Sequence, residues 1–168
     1  MSVEVNLKAL DSANCMTLSD MMRFRGDQET AIMMLYAALK NQDDALIRNN
    51  LGGMLMDQGR FAEAELHLRE AISLDPELAK AHNNLGLLQR RQGNLQDATE
   101  SFTTALECDP GLAVAHVNLG LIFAAKGDYD SAAEQYDLAI DCFLEAADRV
   151  AEATHEACGG SIGNYIVS

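Results

Sequence analysis

Between Ala79 and Arg91 the apolar residues Ala81, Leu85 and Leu88 recur three and four positions apart, mostly among polar neighbours. That spacing is the mark of a helix with one buried face. From Leu95 to Leu106 the residues Leu95, Ala98, Phe102, Ala105 and Leu106 form a second stripe of the same period, which predicts a second amphipathic helix. Gly93 lies between the two and supplies the left-handed residue at which a helix stops. Asp109-Pro110 closes the pair, because proline disfavours helical geometry in the residue before it. The result is a helix hairpin that cannot bury its own stripes.

The same pattern returns at a fixed interval of 34 residues: RNNLGG at 48–53, HNNLGL at 82–87 and HVNLGL at 116–121. At that interval Leu51, Leu85 and Leu119 coincide, as do Gly52, Gly86 and Gly120, then Gly59, Gly93 and Gly127. Ala64, Ala98 and Ala132 follow, then Ala71, Ala105 and Ala139, with Leu68, Phe102 and Tyr136 between them. Pro76 and Pro110 share one slot. A fixed period with this much coincidence predicts a repeat architecture, in which each hairpin buries its stripe against the next. Gly86, Ala98 and Ala105 are small where backbones must pass closely, and Phe102 fills the space beside them.

These residues resemble tetratricopeptide repeats, at 45–78, 79–112 and 113–146. The resemblance implies an all-α, right-handed superhelical stack of helix hairpins with N- and C-terminal capping helices. Two departures stand out. The large aromatic usual near the start of the first helix is replaced by Arg48, His82 and His116, and the closing proline of the third unit by Leu144. The third unit's second helix is therefore expected to run on, as a cap over 147–158, before a flexible tail at 159–168. Upstream, RGDQETAIMMLYAAL places Gly26, Ala31, Leu35 and Ala38 in the slots of a degenerate second helix. With a poorly patterned helix near Ser12–Phe24, residues 1–44 read as a divergent repeat or capping helices.

The resemblance also implies a concave groove, lined by the first helix of each unit, that holds a segment of a partner protein. The residues expected to project there are Asn49, Asn50, Gly53 and Met56, then Lys80, Asn83, Asn84, Leu87 and Arg90, then Val114, Val117, Asn118 and Leu121. Asn50, Asn84 and Asn118 would form a ladder, similar to the asparagine ladder in the repeat region of O-linked N-acetylglucosamine transferase, although only the repeat matches. An amide that donates and accepts at once suits the peptide groups of an extended chain. The family's carboxylate clamp needs Lys and Arg at set groove positions. One register offers Asn49, Gly53, Asn84, Val114 and Asn118; the other offers Met16, Asp20, Asn50, Lys80 and Asn84. Neither suits a clamp.

Composition narrows the functional classes. A net charge of −14 opposes binding to nucleic acid or to an anionic membrane surface. The charge is uneven: between Gln92 and Asp148, Lys126 is the one basic residue against eleven acidic ones. This is a solvated acidic face or an attraction for a basic partner. No apolar run reaches the ~18 residues that would span a bilayer, and the start MSVEVNLKAL has no signal-peptide pattern. Cys15, Cys108, Cys142 and Cys158 show no CxxC spacing, so reduced thiols and a cytoplasmic setting are expected. All eight methionines lie within the first 56 residues, either as an irregular core or as an adaptable sticky face.

Catalytic signals are sparse. His82 and His116 share a slot at the expected helix–helix seam, which points to packing. Glu152, His155 and Cys158 share a helix face at a spacing that can bind a metal, without a second motif. No phosphate loop or nucleophile arrangement is present, and no cofactor is expected. The sequence therefore reads as a non-enzymatic adaptor or scaffold for a peptide or helix segment of another protein. The alternative is a small acidic chaperone, of secretion or assembly type, that shields an apolar client. Self-association through the methionine-rich region or the tail Tyr165-Ile166-Val167 is a further expectation.

Overall fold

The computed structural model describes residues 12–159, with side chains over 14–154. Among them are eight helices and no strand: α1 (Ser12–Phe24), α2 (Gln28–Asn41), α3 (Ala45–Asp57), α4 (Phe61–Leu74), α5 (Ala79–Arg91), α6 (Leu95–Cys108), α7 (Ala113–Ala125) and α8 (Tyr129–Gly159). They fall into two compact units, divided in the chain between Asp109 and Pro110. The first holds α1–α6 and the second holds α7 and α8.

Within the first unit α1 pairs with α2, α3 with α4 and α5 with α6, and α3 also packs on α2 and α5. The glycine and large-residue slots explain the pairing of α3 with α4 and of α5 with α6. A Cβ placed on Gly52 would lie 2.7 Å from Leu68 Cγ, and one on Gly86 would lie 2.7 Å from Phe102 Cε1. Only a residue without a side chain lets α4 or α6 approach so closely. Leu68 and Phe102 are fully buried there. In the second unit the same device sets Tyr136 of α8 against Gly120 of α7, where a Cβ would come within 2.5 Å of the ring. The core of the first unit joins Leu35 of α2, Ile47, Leu51 and Leu55 of α3, Leu68 of α4 and Leu88 of α5.

The turns obey local rules. Gly26, Gly59, Gly93 and Gly127 each take φ between 75° and 85° at the hairpin turn, a conformation that costs other residues free energy. The helix expected over 95–106 continues to Cys108. Pro110 constrains only Asp109, which is extended at φ −140°, ψ 93°. Asp75 before Pro76 behaves alike. Asp44 caps α3 by accepting from Leu46 and Ile47 N–H at 2.8 and 3.2 Å.

The N-terminal helices form a hairpin of the same construction. Cys15 and Ser19 of α1 are buried, and Ser19 Oγ donates to the Ala31 carbonyl at 3.1 Å. The methionines divide. Met34, Met54 and Met56 are buried, Met16 and Met22 pack half-buried against the core, and Met21 and Met33 are exposed. In the third unit, where the closing proline is missing, α8 runs unbroken for 31 residues. The tail expected beyond Gly159 lies outside the described residues.

Candidate functional site

The asparagines of α3 and α5 bond first to one another. Asn84 Nδ2 donates to Asn49 Oδ1 at 2.8 Å, and Asn49 Nδ2 donates to Asn50 Oδ1 at 3.3 Å. Asn49 is 4% exposed, and a buried amide left unpaired costs about 1–3 kcal/mol. This chain of amides therefore pins α3 to α5 and satisfies its buried member. It leaves Nδ2 of Asn50 and Oδ1 of Asn84, a donor and an acceptor, on two half-buried residues that line one place.

That place is a cleft of about 250 Å³. Asn49, Asn50, Gly53, Met54, Met56 and Asp57 of α3 line one side, Asn84, Leu87 and Arg91 of α5 another, and Arg23 of α1 closes it. Arg91 is anchored: its Nη1 donates to the Met56 carbonyl at 3.1 Å and its Nη2 lies 3.5 Å from Asp57 Oδ1. A guanidinium at the carboxyl end of α3 also complements the helix dipole. Arg23 pairs with Asp20 at 3.3 Å in an exposed contact. The cleft thus offers an amide donor, an amide acceptor, an apolar wall and two guanidinium groups, each beside a carboxylate, Asp20 or Asp57.

The structure brings together six of the thirteen residues expected at the groove: Asn49, Asn50, Gly53, Met56, Asn84 and Leu87. Lys80 is exposed and Arg90 half-buried, and neither lines the cleft. Asn83 is buried at 6% exposure and Asn118 at 7%, while Asn49 and Met56 are themselves mostly covered. These four do not project freely, because periodicity tells which face a residue occupies and not how far a neighbour covers it. In the second unit Val114 and Leu121 are exposed on α7. Arg23, Met54, Asp57 and Arg91 were missed by the sequence reading. Arg91 was legible, since it stands two turns beyond Asn84 on the same face, whereas Arg90 is turned away by more than a right angle.

The slot of Arg48, His82 and His116 is structural. Arg48 makes a bidentate contact to Asp43, with Nη2 to Oδ2 at 2.8 Å, and also reaches Glu70 and His67. The hydrogen bond from Arg48 holds the Asp43 carboxyl below its ordinary pKa. Burial lowers the pKa of His67, so its ring is neutral at pH 7 and its 3.4 Å contact with Glu70 is no ion pair there. Tyr36 meets the same ring edge-on at 5.8 Å. His82 Nε2 contacts the Pro76 carbonyl and His116 Nδ1 the Gln135 side-chain oxygen, each at 2.9 Å. Cys108 and Cys142 are free thiols, and Cys15 is buried. Among the described residues no group of three or more metal-ligating side chains converges; the side chains of His155 and Cys158 lie outside them. No helix of the described residues is long and apolar enough to cross a membrane.

The repeat geometry has a counterpart in sequence. Residues 25–79, 55–113 and 113–152 match the tetratricopeptide repeat, and together these segments span most of the chain. The chain belongs to the tetratricopeptide repeat family. Among curated proteins no relative is found. Solved tetratricopeptide and related structures are similar. One is MamA, at 23% identity and a TM-score of 0.68 over 82% of this chain and 81% of that one. Another is YrrB, described as a tetratricopeptide protein with an unusual peptide-binding site, at 25% identity and a TM-score of 0.63 over 83% and 72%. A third is an O-GlcNAc transferase mutant from Thermobaculum terrenum, at 25% identity and a TM-score of 0.64 over 67% of this chain but 22% of the transferase.

Proposed function

We propose that this tetratricopeptide chain is a non-enzymatic adaptor that holds an extended segment of a partner protein in the cleft between α3 and α5. The observation that carries the reading is the pair of unused groups at the rim, Asn50 Nδ2 and Asn84 Oδ1, in a cleft flanked by Arg23 and Arg91. Each residue of an extended backbone brings one carbonyl and one N–H, which is what that pair can accept. Leu87 and the methionines give the segment's side chains an apolar wall, and the two arginines favour an acidic residue or a terminal carboxylate beside it. The peptide-binding site of YrrB, on the same fold, is consistent with this use.

The test is a substitution that fills the cleft beside the amide chain and removes none of its members. A Cβ on Gly53 meets nothing closer than Asn84 Nδ2 at 3.8 Å, so Gly53→Leu fits the helix and projects into the cleft. Wild type and Gly53→Leu, matched for melting temperature, are compared for the proteins they retain from native lysate. A partner held by the first and released by the second is the expected result. Identical capture by both would place binding elsewhere.

One observation favours a second reading, the shielding of an apolar client. Phe24 is 95% exposed beside Met21, and both line an open hollow with Thr17 of α1 and Arg25 just past its end. A chaperone would suppress the aggregation of an apolar client, lose that ability in Phe24→Ser, and keep it in Gly53→Leu. An adaptor shows the reverse.

A further inference from the structure

The helix α8 carries a feature that the cleft reading does not use. Its counterparts α4 and α6 are 14 residues long, whereas α8 has 31. Cys142 stands where α6 ends at Cys108, so about 17 residues run on, or roughly 25 Å at 1.5 Å per residue. From Phe143 to Thr154 every residue but Ala146 is exposed.

This run is strongly patterned. Ile140, Phe143, Leu144 and Val150 are 53%, 54%, 58% and 64% exposed, and with Ala147 and Ala151 they follow helical spacing along one stripe. Beside the stripe runs a ridge of seven carboxylates: Asp130, Glu134, Asp137, Asp141, Glu145, Asp148 and Glu152. Their spacing of three or four residues aligns them along the helix. All seven are exposed, and among the described residues no ion pair neutralises any of them. Like charges three and four apart oppose the helix that carries them, and a lone helical run of this length is marginal in water. Arg149 is the one basic residue of the exposed run, so the pattern lacks an apolar cover and, that residue apart, a counter-charge.

We infer that the outer face of α8 is a docking surface for a basic amphipathic helix of a partner protein, whose apolar side covers Ile140, Phe143, Leu144 and Val150 while its lysines or arginines lie along the carboxylate ridge. A second copy of this chain would lay an equally acidic ridge against the first. An anionic membrane would be repelled. A helix with basic residues flanking an apolar stripe meets both needs, and opposite potentials also speed the encounter.

The probe is a fluorescein-labelled peptide of leucine and lysine, about eighteen residues long to match the exposed run, with leucines on one helical face. A peptide of the same composition in scrambled order is the control. Anisotropy titrations use the full chain at roughly 0.15 M salt, where distant charges are screened. The patterned peptide is expected to bind about tenfold or more tightly than the scrambled one, with Phe143→Ser/Leu144→Ser removing at least that factor. Asp141→Asn/Glu145→Gln/Asp148→Asn should weaken binding and flatten its salt dependence, while Gly53→Leu leaves it unchanged. These sites are exposed, so the variants should melt no lower than wild type by more than about a degree or two, and the charge variant, relieved of repulsion, at or above it. Equal binding of the two peptides, or binding indifferent to the Phe143/Leu144 change, overturns the inference. So does a homodimer in sedimentation that the same double variant dissolves. A failure here leaves the cleft reading intact, because Gly53→Leu tests that separately.

Discussion

Gly52 and Gly53 are neighbours on α3 with opposite reasons for lacking a side chain. The Cβ of an alanine at 52 would sit 2.7 Å from Leu68 Cγ, whereas at 53 it would meet one ordinary contact. Gly52→Ala should therefore destabilise the chain by about 1–3 kcal/mol through overpacking. Gly53→Ala should stabilise it by up to ~1 kcal/mol, because alanine is the better helix former. Urea unfolding of the two variants checks both signs. The Arg48 cluster predicts a pH dependence. The folded-state pKa of His67 lies below its ordinary 6.5, so its share of the stability is complete above 6.5 and lost as pH falls through the folded value. Asp43, held below its ordinary 3.8, contributes above that value and is lost only in stronger acid. Melting temperature should thus fall in two stages on acidification, and His67→Gln should remove the upper one.

Among the elements, the helix ends were the most legible. The proline slots and the glycine turns state where α4, α5 and α6 stop, because they act on the backbone of one residue irrespective of tertiary context. α8 is the exception that confirms the cause, since Leu144 stands where proline would have ended it. Leu144→Pro should therefore unwind the helix near Phe143. Far-UV circular dichroism should lose the helicity of about fifteen residues, the exposed run beyond that point, while cooperative unfolding of the rest is unchanged. Retained helicity would show that the run is held by contacts outside α8. The pairing of α1 with α2 was less legible: α1 buries Cys15 and Ser19, a cysteine and a hydroxyl that a hydrophobic pattern passes over.

For the whole molecule, net charge is the feature that composition alone announces. At −14 the folded chain repels itself, so stability should rise between low salt and ~0.5 M salt as that repulsion is screened; a melting temperature that falls with salt would show that the attractive pairs of Arg48 and Arg91 outweigh it. The sequence by itself determined the all-α class, the repeat of 34, the hairpin turns and the helix face on which each asparagine lies. These follow from local backbone preferences and a fixed period, which read out along one dimension. Only the tertiary structure decided that Asn49 and Asn83 are covered while Asn50 and Asn84 reach the rim, that Arg91 and Arg23 complete the cleft, and that the stripe of α8 stays open. Exposure and hydrogen-bond partners depend on what a neighbouring element brings to the same point, and residues far apart in the chain, such as Asn49 and Asn84, meet only once the hairpins have packed.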